Sequence, residues 1–257
     1  MRGLRDGRVS GAAATLLCAL SGAFAAPPAV QASPGIALGA GLWRQDPAGR
    51  VQDRGNPVDL NRDLGTEVRS EGFAWIEIAP PVPLLPRLRL AYSSAATDGV
   101  NTLQHSITFG GATYPSSATV SSQGSFDQYD ATLFYPLVDA WVRLDLGLNL
   151  RYIDGSVQVS DAAGTENARV SGAVPMLYLH TGIPLPVRGV SIAADASYVT
   201  YGGNRLLDYT FKGAYETPLG LGAELGWRNQ EMRLNDFQNV NVDASWRGPY
   251  AGVFYSF

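Results

Sequence analysis

Few side chains in this 257-residue chain can do acid–base or nucleophilic chemistry, since it has 2 histidines and 1 cysteine. Ser106 directly follows His105, and Asp98 precedes it in the same segment. A serine, a histidine and a carboxylate within hydrogen-bond reach would suit a lipid hydrolase or an acyltransferase. Adjacent residues of an extended chain face opposite sides, so Ser106 is badly placed to reach His105. We therefore expect His105 to be a solvated loop histidine and the protein not to be an enzyme.

The sequence offers little support for a metal or cofactor site. His180 lies far along the chain from His105, so a multi-histidine metal site is not expected. Residues 45–66 contain four carboxylates of the kind that calcium prefers, but their irregular spacing and the intervening arginines favour a solvated loop. These are Asp46, Asp53, Asp59 and Asp63. The glycine-rich run 220–226 lies within a predicted strand, whereas a dinucleotide-binding loop joins a strand to a helix. We expect no catalytic residue, no cofactor and no metal.

A larger set of polar residues is charged and alternates with apolar residues along the chain. Their signs are mixed, and enclosed charges need partners or water. We predict that they line the lumen of a narrow barrel, where a salt-bridge network braces the strands and largely occludes the interior. An open diffusion channel would need about 16 strands. The predicted lumen residues are Arg87, Arg89, Asp130, Arg143, Asp145, Arg151, Asp195, Asp208, Lys212, Glu216, Glu224, Arg228, Asp243 and Arg247.

The elements that position these side chains are predicted to be β-strands, because apolar and polar residues alternate through most of the chain after residue 35. Short connections, often containing proline, alternate with longer polar ones at 45–66, 98–123, 154–168 and 233–239, as in outer-membrane barrels. The pattern predicts an all-β fold, a closed antiparallel up-and-down transmembrane β-barrel of ten strands, with eight or twelve as alternatives. The predicted strands are 35–44, 67–79, 87–97, 124–135, 140–153, 169–183, 189–201, 204–216, 219–232 and 240–257.

Three local features bear on the strand count and register. Asp154-Gly155 favours a tight hairpin turn, but residues 156–160 are too few to span a membrane, so we interpret it as a bulge in a projecting strand. Gly110-Gly111 predicts a small hairpin within a long connection. In the last strand the apolar parity changes near Gly248-Pro249, which predicts a one-residue bulge there. With that shift the inward residues are Asn241, Asp243, Ser245, Arg247, Tyr250, Gly252, Phe254 and Ser256.

The N-terminal segment is predicted to be an export signal. Residues 1–32 begin with arginines, continue through an apolar stretch and end in small residues, which is typical of a secretory signal peptide cleaved after Ala25 or Ala32. Residues 33–257 would then form a single barrel domain. Cys18 lies in the signal, so no disulfide or thiol chemistry is expected after export. The formal net charge of −4 makes a nucleic-acid partner improbable.

Composition and aromatic placement favour a membrane barrel. The chain is 46% hydrophobic and 16% charged with a mean hydropathy of −0.03, which excludes a helical membrane bundle with its apolar runs of about 20 residues. Its aromatic content also excludes intrinsic disorder. Aromatic residues such as Trp141, Tyr152 and Trp227 fall near predicted strand ends, where the two membrane interfaces select them. A soluble ligand-binding β-barrel, which would also alternate, stays as an alternative.

The terminal strand, from Gly248 to Phe257, resembles the C-terminal strand of bacterial outer-membrane proteins, in which a final Phe and alternate aromatics are read by the barrel-assembly machinery. Tyr255 and Phe257 would carry that signal here. More widely, the mature chain resembles an uncharacterised family of Gram-negative outer-membrane β-barrel proteins. The segments that carry this resemblance are 41–43, 81–86, 128–152, 174–178, 201–204 and 248–257.

The resemblance implies a location in the cell outer membrane, and it implies no substrate. We expect contacts with outer-membrane lipids and lipopolysaccharide, assembly by the barrel-assembly machinery, and a monomer. The expected role is structural, or the narrow passage or binding of a small or hydrophobic compound. The alternatives are the lipid hydrolase or acyltransferase and the soluble ligand-binding barrel considered above.

Overall fold

The computed structural model describes residues 35–82, 85–237 and 240–257, so the predicted signal peptide lies outside the described residues. Most of the described chain is extended, because its alternating residues suit a pleated sheet with two different faces. Within these ranges no helix has the length and apolarity needed to cross a membrane. In chain order the strands are β1 (Gly35–Asp53), β2 (Val58–Asp59), β3 (Arg69–Ala79), β4 (Arg87–Thr102), β5 (Ile107–Phe109), β6 (Ala112–Tyr114), β7 (Thr119–Asp139), β8 (Arg143–Ser160), β9 (Thr165–Pro184), β10 (Val190–Tyr201), β11 (Asn204–Glu216), β12 (Leu221–Phe237) and β13 (Val240–Ser256).

Ten of these strands form one closed antiparallel barrel, as predicted. Each long strand pairs with the next long strand in sequence, and β13 pairs with β1 to close the ring. The two-residue β2 pairs with β1 near its C-terminal end, at Arg50 and Val51, while β5 and β6 form a separate hairpin. That hairpin turns at Gly110 and Gly111, whose φ angles are 65° and 93° and which therefore suit a tight hairpin turn. The predicted small hairpin is confirmed, and the alternatives of eight or twelve strands are wrong.

The strands are longer than predicted, because much of the predicted long connections is strand. β1 continues to Asp53, β7 begins at Thr119 and β8 continues to Ser160. Asp154-Gly155 lies in the middle of β8, whose register with β7 and β9 runs through it without a shift. The predicted bulge there is therefore wrong, although the strand does project beyond residue 153, where the predicted strand ended.

The barrel reverses its polarity part of the way along its axis. We call the part near the strand ends at Gly35 and Ser256 the lower half, and the part near the long connections the upper half. In β8 the outward residues are Leu144, Leu146, Leu148, Leu150 and Tyr152 in the lower half, followed by Asp154, Ser156 and Gln158 in the upper half. The inward residues change in the opposite sense, from Arg143, Asp145, Asn149 and Arg151 to Ile153, Val157 and Val159.

A row of outward tyrosines marks the level of this reversal. Tyr92, Tyr129 and Tyr152, hereafter the tyrosine row, lie side by side on β4, β7 and β8. The ring centroids are 5.2 Å apart for Tyr92 and Tyr129 and 6.4 Å apart for Tyr129 and Tyr152. The Tyr92 hydroxyl donates a 2.9 Å hydrogen bond to Asp127, the next outward residue above Tyr129. Each ring therefore has apolar residues below it and polar residues above it.

The upper half holds the hydrophobic core, which is enclosed by the barrel wall and covered by two connections. Trp246 packs against Phe126 with ring centroids 5.2 Å apart, and both are buried. The segment around β2 and the β5–β6 hairpin cover the core, and the Tyr114 hydroxyl donates a 3.0 Å hydrogen bond to the carbonyl of Val159. Other buried members of this core are Val51, Val58, Leu60, Leu64, Leu103, Ile107, Phe109, Val120, Ile153, Val157, Val170, Leu206, Met232, Leu234, Val240, Val242 and Ala244.

The predicted bulge in the last strand is also wrong. β13 pairs with β12 without a register shift from Val242 to Tyr255, and inward and outward residues alternate strictly through Gly248-Pro249. Val242, Ala244 and Trp246 point inward, so Asn241, Asp243, Ser245 and Arg247 do not line the lumen. The parity of the apolar residues changes because the polarity of the barrel reverses at this level, and no residue is inserted. Tyr250, Gly252, Phe254 and Ser256 face inward as predicted.

Candidate functional site: the charged lumen of the lower half

Arg151 occupies the centre of the lumen and joins strands on opposite sides of it. Its guanidinium donates bonds of 2.8 and 3.0 Å to Asp130 on β7 and one of 2.7 Å to Asp208 on β11. Asp208 also accepts bonds of 3.0 and 2.6 Å from Arg228 on β12. Asn149 donates a further 2.7 Å bond to Asp130. Both aspartates are therefore paired with a guanidinium, as buried carboxylates require.

Asp195, on β10, is the centre of a second cluster below the first. One carboxylate oxygen lies 2.8 Å from the Tyr178 hydroxyl and 2.8 Å from His180 Nδ1 on β9. The other lies 3.2 Å from Lys212 Nζ on β11, which is also 3.5 Å from Glu224 on β12. His180 thus lies in the lumen as a partner of a structural carboxylate. Lys212 links the acidic groups of two strands that flank its own.

A third cluster lies close to the lower opening. Arg143 Nε donates a 2.8 Å hydrogen bond to Asp145, whose side chain is fully buried, and Glu77 lies 3.8 Å from Arg87 and 3.9 Å from Arg143. Nearby, the Arg89 guanidinium lies over the ring of Trp75 at 4.6 Å from its centroid. Arginine over a tryptophan face is a favourable contact, so each of these cations has a carboxylate or a ring beside it.

Three buried glutamines separate this charged lumen from the hydrophobic core above it. Gln128 and Gln230, on opposite walls, exchange two amide hydrogen bonds of 3.1 and 2.8 Å across the lumen. Gln45 donates a 2.6 Å bond to the carbonyl of Ser94. Just below them Arg228 lies 4.6 Å from the centroid of the Trp43 ring. Uncharged amides can satisfy one another while presenting little charge to the apolar side chains above, which explains their position at the boundary.

The lower half contains two small neighbouring cavities. One, of about 130 Å³, borders Trp43, Asp130 and Arg228. The other, of about 140 Å³, borders Glu77, Asp145 and His180. Trp75, Arg89, Tyr178, Lys212 and Glu224 border both cavities and lie between them. Cavities of this size and polarity have room for a few water molecules, and among the described residues the packed core closes the path above.

The structure brings most of the predicted lumen residues together and excludes three of them from the network. Arg87, Arg89, Asp130, Arg143, Asp145, Arg151, Asp195, Asp208, Lys212, Glu224 and Arg228 all face the lumen. Glu216 keeps the inward parity but is exposed at the lower end of β11, without an ion pair to any other described residue. Asp243 pairs with Arg233 at 3.4 Å, and Arg247 with Asp46 at 3.9 Å, on the outer wall. The side chains of Asp243 and Arg247 point outward because the register of β13 is not shifted by a bulge.

Sequence reasoning missed the buried polar residues that are not charged. Gln45, Gln128, Gln230 and Tyr178 follow the inward parity of their strands, but no charge drew attention to them. The sequence could have indicated them: the inward residues of one strand change from charged to apolar along its length, and a neutral polar residue is expected where that change occurs. Among the described residues no group of histidine, cysteine and carboxylates could hold a metal ion.

The histidine that suggested hydrolytic chemistry lies outside the barrel lumen. His105 is half exposed, with Nε2 3.7 Å from Asp63, while Asp98 pairs with Arg69 at 2.8 Å. Asp63 instead organises the segment around β2: it accepts bonds of 2.9 Å from the Asp59 amide and 2.9 Å from Arg62. Burial alone would raise the pKa of Asp63, but those hydrogen bonds outweigh it and hold the pKa below its usual range.

Comparisons with solved structures find remote likenesses. The chain matches no family model and no curated protein sequence. The translocator domain of the autotransporter NalP from Neisseria meningitidis aligns with a TM-score of 0.44 and 13% identity, over 86% of this chain and 88% of that one. The transport unit of the autotransporter AIDA-I from Escherichia coli aligns with a TM-score of 0.41 and 8% identity, over 89% and 92%.

Proposed function

We propose that this protein is an outer-membrane barrel that spans the membrane with its lower half and projects its upper half outside the cell as a hydrophobically packed cap, which closes the lumen along the barrel axis. Its role is structural, or the binding of a small apolar molecule, and it acts neither as a diffusion pore nor as an enzyme. The observation that carries this proposal is the polarity reversal at the tyrosine row. A barrel that is apolar outside and charged inside suits a membrane, and the opposite arrangement suits water.

The height of the apolar band supports the membrane span. Trp141 and Tyr152 bracket the apolar outward face of β8 and are eleven residues apart. At about 3.3 Å per residue and a strand tilt of about 35–45°, the eight-residue spacing from Leu144 to Tyr152 within β8 corresponds to about 19–22 Å along the barrel axis, and Trp141 lies in the turn below it. Outer-membrane barrels have apolar bands about 25 Å tall, and bilayer hydrocarbon is about 30 Å thick. The apolar face of β8, with Trp141 below it, approaches the height of such a band.

The outer surface of the lower half argues against a soluble barrel. Leu42, Leu148, Leu225 and Val253 lie on four different strands and are each more than 60% exposed. The apolar surface to which they belong continues around the barrel, whereas the largest apolar patch on a soluble monomer is typically about 300–600 Å². Contact with membrane lipids and lipopolysaccharide is the corresponding proposal for this surface.

The lower end of the barrel carries the features proposed for assembly. Tyr255 is an outward residue of β13 and the exposed Phe257 directly follows that strand, and their rings pack edge to face with centroids 4.7 Å apart. Both remain accessible beside β1, so a barrel-assembly partner could contact them before the sheet closes. With the ring closed by β13 and β1, we propose a monomer as the functional form.

The deciding experiment combines fractionation with electrical recording. The full chain, expressed in a Gram-negative host, should be recovered in the outer membrane and should migrate faster on a gel before boiling than after. In planar bilayers, the same preparation should give no stepwise conductance, whereas an open porin recorded in parallel should. Recovery in the aqueous fraction would overturn the membrane placement, and reproducible conductance steps would overturn the sealed lumen.

A separate comparison addresses enzymatic activity. Cells expressing the wild type and cells expressing His105→Ala should have the same lipid profile as cells with an empty vector, because His105 has neither Asp98 nor a lumen nucleophile as a partner. A lipid change that depends on His105 would overturn the non-enzymatic assignment.

A further inference from the structure

The barrel wall has a notch in its upper half, between β9 and β12. The hairpin of β10 and β11 turns at 202–203, while β9 and β12 continue above it. β10 pairs with β9 only between Leu177 and Pro184. Above Leu177, residues 165–176 of β9 pair with β8 alone among the described strands. Pro175 lies on this open edge, where no neighbouring strand needs the backbone N–H that proline lacks.

The notch opens into an apolar cavity of about 260 Å³. Well-packed protein interiors leave few voids larger than a water molecule. An apolar cavity of about 150 Å³ in another protein stays dry and binds benzene, so a larger one of the same character is suited to a hydrocarbon ligand. The apolar side chains that line it are Ile153, Val170, Val174, Val199, Leu206 and Leu234.

The notch lies at the outer edge of the apolar band. Ala173 on β9 is directly opposite Tyr152 of the tyrosine row, and the exposed Tyr201 lies at the floor of the notch. Polar residues, including Ser171 and Asn204, also border the opening. A molecule entering from the side at this height would have its apolar part in the cavity and its polar part at the rim.

We propose that the notch binds a hydrocarbon chain of a membrane phospholipid, which enters laterally while its headgroup stays at the rim. This inference rests on the membrane placement proposed above. The lipid is favoured because it is the amphiphile present at this height, and because the cavity is apolar while its border is polar. A peptide strand added to the open edge of β9 would instead use backbone hydrogen bonds, and Pro175 removes one donor from that edge.

Native mass spectrometry of the full chain, extracted from membranes and exchanged into detergent, tests the proposal. After incubation with palmitoyl-oleoyl phosphatidylethanolamine, the wild type should retain one lipid molecule. Val174→Phe should fill the cavity and lower the occupancy at least about tenfold, because each methylene displaced weakens binding about fourfold. Leu177→Phe is the matched control: Leu177 is an outward residue of the same strand below the notch, so this variant should bind as the wild type does.

The outcomes separate this inference from the proposed function. Val199→Phe provides a second filling variant if Val174→Phe fails to give the heat-modifiable form. A wild type that is membrane-embedded yet retains no lipid, or filled variants that bind normally, would overturn the notch as a lipid site and leave the proposed function standing. A bound mass of a free fatty acid or a peptide in place of the phospholipid would overturn the assigned ligand. Loss of membrane partition would overturn both proposals.

Discussion

Replacement of Arg151 by methionine tests whether the lumen network braces the barrel. The change keeps a long side chain but removes the cation that contacts Asp130 and Asp208 at 2.7–3.0 Å. Asp208 keeps Arg228, whereas Asp130 keeps only the amide of Asn149. The variant should therefore leave one carboxylate without a cation, in a lumen where Arg151 itself is only 3% exposed.

The expected loss follows from that arrangement. Breaking a buried ion pair by removing one partner costs about 3–5 kcal/mol. The adjoining cavity of about 130 Å³ borders both Asp130 and Asp208 and has room for water, so the loss should fall near the lower limit, about 3 kcal/mol. The double variant Arg151→Met, Asp130→Asn should recover part of this loss, because the unpaired charge is removed while an amide remains for Asn149.

The assay is guanidinium unfolding of the refolded protein in lipid vesicles, with the free energy of unfolding taken by linear extrapolation. Arg233→Met is the matched control, since Arg233 pairs with Asp243 on the outer wall with both side chains more than half exposed. Exposed pairs of this kind contribute about 0–1 kcal/mol. If Arg151→Met costs no more than Arg233→Met, or if the double variant is less stable than the single one, the bracing role is refuted.

Three further changes test other parts of the structure. Asp63→Asn should loosen the connection around β2. Because the pKa of Asp63 is lowered in the fold, the stabilisation by its carboxylate is present above about pH 4 and is lost as the pH falls through the folded pKa. Limited proteolysis of the wild type should therefore accelerate in acid, whereas that of the variant should not depend on pH in this way. Trp246→Ala should cost about 3–5 kcal/mol of unfolding free energy, because it empties the space beside Phe126 in the packed core; a loss under about 1 kcal/mol would contradict the packed cap. Phe257→Ser should reduce assembly in cells yet leave refolding in detergent nearly unchanged, since Phe257 is 71% exposed. Both are measured by heat-modifiable migration on a gel, and equal losses in the two assays would argue against an assembly signal.

The alternation along the strands was sufficient to predict the wall of the lower half. Between Leu144 and Tyr152 one face is wholly apolar, so any closed sheet must separate it from Arg143, Asp145 and Arg151. Ten strands followed from the number of such segments. Eleven of the predicted charged residues consequently face the lumen. Where the environment on each side of a strand stays the same along its length, the alternation of the local sequence is enough to tell which residues point inward.

The assignment failed where the surroundings do change. Val242, Ala244 and Trp246 are apolar because they enter the packed core, whereas Ala251, Val253 and Tyr255 on the opposite parity lie on the outer apolar band. If apolar residues are assumed to point outward along the whole of β13, the change of parity can be explained only by a bulge, and β13 has none there. The constant register of β13 with β12 from Val242 to Tyr255, and with β1, decides the direction of Asp243 and Arg247, and that register is not visible in one strand alone.

The sequence by itself therefore determined the class of fold, the ten barrel strands and the two faces of the strands within the lower half, because all three depend on local periodicity. Only the tertiary structure decided which charges meet, as Arg151 and Asp208 do, and which amides close the lumen, as Gln128 and Gln230 do. Those pairs are far apart in sequence and come together when β13 joins β1 and closes the ring. The notch was decided in the same way, since it exists only because a short hairpin lies between two strands that rise above it.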